Sequence, residues 1–324
     1  MPERSGFIME LPYLNDFLLS LQVNAYSPET IYNYEKDLKV FEHFLTEEVK
    51  MDDFDKVSKR TIESFKAYLN ARDRRTSTGR EGEKMLSSGS INRLLSSIRG
   101  YLHYLIEMDY STPILPEHIK LVRKERKISQ VAELNDLVRL IEAPSTLEND
   151  KLVALRNRAL LEVLFSTGMR ISELCNLNRN QIDDSGKIFI MGKGRKQRFV
   201  YLTHRAKTHL DQYIVTRKDN FPALFIPYSG RNVNSLKKRI STNYLQEKIK
   251  EYREKLKINV PTSAHSLRHG FATYLAEEGA SPAAIQILLG HESLNTTTRY
   301  VHASDRFAQE SQEKFHPLAE DETD

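Results

Sequence analysis

The sequence predicts a mainly α-helical chain in two domains. The first is an N-terminal four-helix domain, and the second is a larger α+β domain of helices that carries one small antiparallel β-hairpin. Three observations carry this. Residues 10–109 place their apolar side chains at helical spacing throughout. A helix-length apolar stripe resumes after residue 131. Between residues 187 and 202 the pattern changes to two β-rich runs around a glycine turn. The 324 residues leave room for two ordinary domains, and 40% hydrophobic with 28% charged content describes a packed chain.

The elements follow in order. Leu11, Leu14, Leu18 and Leu21 mark a first helix. Ser27-Pro28 joins an N-capping hydroxyl to a proline at the first helical position, where a missing N–H costs nothing. The helix behind it buries Ile31, Tyr34, Leu38, Phe41 and Leu45. Ile62, Phe65 and Leu69 mark a third helix, and Ile91, Leu95, Ile98, Leu102 and Leu105 a fourth, in alternating steps of four and three. The stretch 74–90 between them is rich in Gly, Ser and Arg and reads as a loop, either lying on DNA or simply solvated. Pro113 and Pro116 lead into a charge run with Lys120, Arg123, Lys124, Arg126 and Lys127. Residues 113–130 therefore read as a basic linker between a domain of residues 1–112 and one of residues 131–324.

In the second domain Leu134, Leu137, Val138 and Ile141 mark one helix. Leu152, Leu155, Ala159 and Val163, flanked by Leu160 and Leu164, mark a central one that stops at a glycine cap, Gly168. A short helix spans 171–177. The hairpin strands are 187–191 and 197–202, joined by Gly192-Lys193-Gly194-Arg195-Lys196, and 223–226 is a candidate third strand. Helices are expected near 205–219, 234–256, 266–278, 282–289 and 304–314, ahead of a short acidic tail at 320–324.

The bulk numbers narrow the setting. A formal net charge of +4 suits a polyanionic partner without requiring one. The single cysteine, Cys175, permits neither an intrachain disulfide nor a cysteine-based zinc site, as expected in a reducing compartment. Residues 1–10 lack a signal-peptide apolar run, and no stretch nears the roughly 18 apolar residues of a membrane span. The expectation is a cytoplasmic protein with no membrane partner.

Candidate chemistry lies in the C-terminal half. Gly192-Lys193-Gly194 resembles the end of a phosphate-binding loop, but Gly186 stands one residue too far away and Lys193 is followed by Gly194 instead of Ser or Thr, so nucleotide binding is rejected. A lysine on a glycine turn can instead reach into a groove or donate a proton. His265, Arg268 and His269 fall at i, i+3 and i+4 at a helix start, with Leu267 and Phe271 on the adjoining buried side. Such a cluster forms an anion site with the free N–H groups of the helix end, though a plain surface helix start looks the same. His291, after Gly290, serves equally as a cap, and Tyr300 equally as packing.

Taken together with Arg170 and Lys193 they gain meaning. No acidic cluster nearby suits magnesium and no His/Cys set has zinc spacing. What remains is an all-cationic pocket with one nucleophile. Guanidinium groups can grip two phosphate oxygens in a planar fork. A phenol of pKa about 10 needs a base or a strongly positive pocket to lose its proton. Attack by the phenol keeps the phosphodiester energy in a phosphotyrosine, so rejoining needs no ATP and no cofactor is expected.

The motifs Thr167-Gly168-Met169-Arg170-Ile171-Ser172-Glu173-Leu174, Gly192-Lys193-Gly194-Arg195-Lys196-Gln197-Arg198, His265-Ser266-Leu267-Arg268-His269, Leu288-Leu289-Gly290-His291 and Thr298-Arg299-Tyr300 resemble those of the tyrosine recombinase (phage integrase) family, and within it the Xer-type chromosome-dimer resolvases. His316-Pro317 also looks like an Xer C-terminus. The resemblance covers nearly the whole chain. The loop at 74–90 and the extension before Glu10 are longer than is usual for compact Xer proteins.

The resemblance implies a SAM-like N-terminal core-binding domain and a catalytic domain forming a clamp round DNA. It implies that Tyr300 attacks the scissile phosphate to give a 3′-phosphotyrosyl link, while Arg170 and Arg268 hold the non-bridging oxygens. Lys193 is then the general acid for the leaving 5′-oxygen, His265 the acid/base partner of the tyrosine, and His291 a further phosphate donor. Glu173 orients the site from behind, and His269 and Gly290 are structural. DNA phosphate contacts are expected from Arg93, Arg99, Lys120, Arg123, Lys124, Arg126, Lys127, Lys237, Lys238 and Arg239. Members of the family act as tetramers on two duplexes through a Holliday junction, as homotetramers or with a sister recombinase. In them the last helix docks into a neighbour, here the segment 304–315 with Phe307 and Phe315, unless it packs on its own domain. A septal DNA translocase is a further partner. Chromosome-dimer resolution is the first reading; mobile-element integration and type IB topoisomerase-like relaxation use the same chemistry. Outside enzymes, the alternative is an architectural DNA-binding protein.

Overall fold

The computed structural model describes residues 9–71, 86–123, 132–191, 197–236, 238–290, 309–310 and 312–317. The chain divides into two units, 1–128 and 129–324.

The N-terminal unit contains α1 (Leu14–Val23), α2 (Pro28–His43), α3 (Lys59–Asn70) and α4 (Ser88–Glu107). Its helix starts follow from the serines. Ser27 accepts from the N–H of Thr30 at 3.2 Å, and Ser58 and Ser87 cap α3 and α4 in the same way. The expected stripes of α2, α3 and α4 supply the core, with Leu38, Phe41, Phe65, Leu95, Leu102 and Leu105 all buried. In α1 the stripe differs. Leu14 and Leu18 are only partly buried, while Phe17 and Leu21 make the buried face, because Phe17 meets Tyr34 and Tyr101 edge-on. The core also takes in part of the stretch assigned to the linker. Ile114 and Ile119 are buried, and the Asn92 amide donates to Val122 O at 2.9 Å and accepts from Val122 N–H at 2.8 Å.

The second unit contains α5 (Leu134–Glu142), α6 (Pro144–Leu147), α7 (Lys151–Thr167), α8 (Ile171–Asn176), β1 (Lys187–Met191), β2 (Gln197–Tyr201), α9 (His204–Val215), α10 (Thr242–Lys255), α11 (Ala264–Glu277) and α12 (Pro282–Leu289). The central helix is α7, buried at every position from Arg156 to Thr167. Its polar residues are paired, as burial requires. Arg156 donates to Ile226 O at 3.0 Å, Asn157 to Tyr252 Oη at 2.7 Å and Arg158 to Glu162 at 2.9 Å.

The hairpin is antiparallel, running from Lys187 opposite Tyr201 to Met191 opposite Gln197. Residues 223–226 do not join it. Ala223 makes an isolated bridge to Asn178, beside a 2.8 Å bond from Leu224 N–H to Leu177 O. Pro222, just before, has no N–H to extend a ladder. α10 starts at Thr242 and not near 234, because Ser241 caps it by accepting from Tyr244 N–H and Lys238 just upstream has φ +32°. Among the described residues no helix is long and apolar enough to cross a membrane.

Helical turns at 312–315 lie on the second unit's own core. Gln312 donates to Ser166 O at 3.0 Å, Phe315 packs on the core, and His316 is buried against Phe165 and Phe271. Phe307 lies outside the described residues.

Burial, aided by Arg205, holds the His316 imidazole down at about 4, against an ordinary 6.5. A depressed folded pKa means that docking favours the neutral ring. The stabilisation is complete above 6.5 and drains away as pH falls toward 4. The melting temperature of the intact chain should therefore fall more steeply across that window than that of His316→Leu, which has nothing to titrate there. Parallel profiles would remove His316 as the cause.

Candidate active site

The site is built where α7 ends. Gly168 takes the left-handed conformation, φ +58°, and a Cβ there would stand 2.4 Å from Phe271 Cδ1. Glycine thus serves both the turn and the close approach of α11. The chain then sets Arg170 at the N-cap of α8, and Glu173 folds back on it. Glu173 Oε2 accepts the Arg170 backbone N–H at 2.7 Å and Oε1 accepts Arg170 Nη1 at 3.0 Å.

A second arginine grips the same carboxylate. Arg198 on β2 donates Nη1 to Glu173 Oε1 at 3.0 Å and Nη2 to Oε2 at 2.7 Å, while its Nε–H reaches Leu288 O at 2.9 Å. Arg268 on α11 donates Nη1 to Gly168 O at 2.8 Å and Nη2 to Leu289 O at 2.6 Å. Both arginines therefore close the C-terminus of α12, which ends at Gly290 with φ +63°. His265, one turn before Arg268, is exposed and edge-on to His269, with ring centroids 4.4 Å apart.

The charges do not balance. Three guanidinium groups surround one carboxylate, and the side chains of Arg198 and Arg268 are buried. Burial, then Arg170 and Arg198, push Arg268 down to about 10, so it stays charged at neutral pH. Burial would raise Glu173, but Arg198 and the N–H and guanidinium of Arg170 outweigh it and keep the carboxyl below its ordinary range. Burial, followed by His269, Arg268 and Arg170, lowers His265, which favours the neutral ring. A buried positive excess beside a helix N-terminus can hold an oxyanion.

Of the residues singled out in the sequence, the fold brings Arg170, Glu173, His265 and Arg268 to this one place. Lys193, His291 and Tyr300 lie outside the described residues. Lys193 belongs to the five residues between β1 and β2, and His291 directly follows Gly290. Sequence reasoning gave Arg198 no role, although it stands inside a quoted motif. The available signal was its alternation: along β2, Arg198 and Val200 are the inward positions, and an inward arginine in a strand needs a buried partner.

The expected DNA-phosphate residues divide. Arg239 donates to Cys175 O at 3.2 Å, Leu177 O at 2.8 Å and Asn178 Oδ1 at 2.6 Å, so it braces the end of α8. Arg93 is paired at 2.6 Å with Asp37, a buried carboxylate. The Lys238 ammonium sits over the Phe221 ring at 4.9 Å, and Arg99 is half-buried. Lys120 and Arg123 are exposed. Lys124, Arg126, Lys127 and Lys237 lie outside the described residues.

Comparison with known proteins follows the same division. The chain matches the family model of the phage integrase family over residues 130–306 and that of the phage integrase N-terminal SAM-like domain over 14–108. It is 30% identical over 314 residues to the tyrosine recombinase XerD of Staphylococcus epidermidis, covering 94% of this chain and 99% of that protein. It is 30% identical over 281 residues to the tyrosine recombinase XerC of Lactobacillus delbrueckii subsp. bulgaricus, covering 86% and 90%. Solved structures of similar fold include a lambda integrase dimer bound to a COC′ core site, with TM-score 0.65 and 16% identity over 91% of this chain and 76% of that one. Another is the XerH site-specific recombinase bound to difH substrate before cleavage, with TM-score 0.63 and 20% identity over 90% and 82%.

The shared carboxylate generates a stability prediction. Glu173→Ala leaves the buried Arg198 guanidinium without a counter-charge, a loss on the order of 3–5 kcal/mol. Glu173→Gln keeps the shape and an acceptor and should lose less. Denaturant midpoints of both variants measure this, and an alanine variant as stable as the parent would show the pair to be expendable.

Proposed function

Because this chain belongs to the phage integrase family, and is thus a tyrosine recombinase that transfers DNA strands, we propose that it recombines one defined DNA site in the resolution of chromosome dimers at cell division. Full-length similarity to XerD and XerC supports this role. The observation that carries the chemistry is the pair Arg170 and Arg268, fixed on either side of the Gly168 turn with more positive charge than Glu173 can neutralise.

In this reading the two guanidinium groups hold the non-bridging oxygens of the scissile phosphate and favour the charge that grows in the transition state. His265, kept neutral by its surroundings, accepts the Tyr300 phenol proton. The phenolate oxygen forms a bond to phosphorus, the bond from phosphorus to the 5′-oxygen breaks, and Lys193 gives that oxygen its proton. His291 donates a further hydrogen bond to the phosphate, and Glu173 keeps Arg170 aimed. Attack on the phosphotyrosine by a 5′-hydroxyl from the other duplex reverses the steps and passes through a Holliday junction, with no nucleotide consumed.

Labour divides along the chain. Residues 1–112, with the part of the basic stretch 113–130 that packs into their core, hold the duplex, and 131–324 do the chemistry; the two family models, matched over 14–108 and 130–306, support this. Lys120 and Arg123, both exposed, are the best of the described phosphate contacts. The assembly is a tetramer on two duplexes in the cytoplasm, formed with itself or a sister recombinase. If the C-terminal segment is exchanged between subunits, it must first leave the seat that Gln312 and His316 occupy. A septal DNA translocase fits the same cellular role.

DNA selected from a genomic pool should contain one chromosomal site with two inverted half-sites around a short spacer. Recovery of mobile-element ends instead would overturn the chromosomal role. On a nicked suicide substrate carrying that site, the wild type should trap a covalent complex and Tyr300→Phe should bind without trapping. A wild-type chain that binds yet never traps would sink the mechanism.

Lys193→Ala should cleave an ordinary phosphodiester about 100-fold more slowly, the scale of a lost general acid. It should recover on a 5′-bridging phosphorothiolate, whose leaving group needs no proton. Equal losses on the two substrates would take the acid role away from Lys193.

A further inference from the structure

Among the described residues, Arg198 is the one strongly basic, buried group at this site that the mechanism leaves unused. A strand position facing the core ordinarily takes an aliphatic side chain, and a guanidinium is costly there unless its donors are met. Arg198 meets the cost with acceptors that all belong to the site. Glu173 takes two parallel N–H bonds, and Leu288 takes the third through its carbonyl.

Those acceptors lead in three directions. Through Glu173, Arg198 reaches both the backbone N–H and the guanidinium of Arg170. Through Leu288 it reaches the end of α12, where the neighbouring carbonyl, Leu289, is bound by Arg268. Adjacent carbonyls of one helix end thus fix one arginine each. Gly290 closes that end directly on Arg198: a Cβ there would lie 3.0 Å from Arg198 Cδ and 3.3 Å from Nε. Finally, Arg198 is the second residue of β2, close in sequence to Lys193.

We propose that Arg198 is a positioning residue that sets Arg170 and Arg268 in a common frame for the phosphate. It touches no reacting atom. It locks the Glu173 carboxylate, which aims Arg170, and it anchors the helix end that orients Arg268. A lysine cannot replace it, since one ammonium does not offer a bidentate fork and a separate Nε–H in fixed geometry. The inference rests on the phosphate-clamp reading given above. Its rival is that Arg198 merely fastens β2 to the domain.

The test compares covalent-complex formation in a single turnover on two nicked suicide substrates, one with a normal scissile phosphodiester and one with a methylphosphonate. The methylphosphonate is neutral and makes less demand on the guanidinium pair. Arg198→Met should slow trapping on the phosphodiester about 100-fold, as loss of a preorganised donor does, with a loss below about tenfold on the methylphosphonate. Arg198→Lys, which keeps the charge and tests the same point if the methionine variant does not fold, should show the same substrate dependence. The double variant Glu173→Gln/Arg198→Met should be no slower than the slower single variant, since both act through one contact. Losses equal on the two substrates, or wild-type rates in both Arg198 variants, overturn the positioning role while leaving strand transfer intact. A wild-type chain that traps on neither substrate overturns the strand-transfer reading, and the role of Arg198 with it.

Discussion

One carboxylate holds the site together. Glu173 lies between Arg170 and Arg198, with Arg268 close by, and among the described residues it is the only acid paired with these cations. Three guanidinium groups this near one another repel, and two of them are largely cut off from water. Glu173 offsets part of the repulsion and, through its bonds to a backbone N–H and two side chains, turns mutual repulsion into fixed geometry. What it leaves over is positive charge in a place of low solvent access, where electrostatic interactions are strong. In the proposed mechanism it is the incoming phosphate that completes the balance. Because the donors are already oriented, little reorganisation is needed when charge builds up on its oxygens.

The rigidity behind that carboxylate comes from α7. A helix buried on all sides would normally be apolar throughout, yet this one carries Arg156, Asn157, Arg158 and Glu162. Each has hydrogen-bond partners, several of them outside the helix. Arg156 binds Ile226 O and Tyr244, Asn157 binds Tyr252, and Glu162 accepts from both Arg158 and Arg205. Such a network specifies one rotation of the helix, because a turn of α7 about its axis would strand several charges at once. That rotation decides where Gly168 places its carbonyl, and the carbonyl decides where Arg268 points.

The legible parts of the chain were those where sequence neighbours do the physics. The stripes of α3 and α4, the Ser27 cap and the Gly168 stop depend on residues a few positions apart, and these appear where they were read, whereas the α1 stripe moved to Phe17 and Leu21. Arg170 and Arg268 were legible through motif order. Contacts between distant residues were not. Arg198 meets Glu173 across 25 positions, Arg93 meets Asp37 across 56, and Arg239 meets Leu177 across 62. A basic residue in a sequence therefore looked the same whether it faces solvent, as Lys120 does, or is committed to its own fold, as Arg239 is. The segment 223–226 failed as a strand for the same reason: its β-rich composition was visible, but its neighbour, the turn after α8, was not.

The C-terminal segment reaches the same scaffold. His316 lies at Phe165 O and Gln312 donates to Ser166 O, carbonyls three and two residues before the one that Arg268 binds. The last turn of α7 is thus held both by the C-terminal segment and, through Gly168 O, by Arg268. Removing the segment would expose Ser166 O and the Phe165 ring and release the turn that presents Gly168. In the exchange considered under the proposed assembly, a segment of the same sequence from another subunit would restore both contacts. The carbonyls it holds lie less than one helical turn from Gly168, whose own carbonyl fixes Arg268, so under the proposed exchange a change at this seat would act on the last turn of α7 directly.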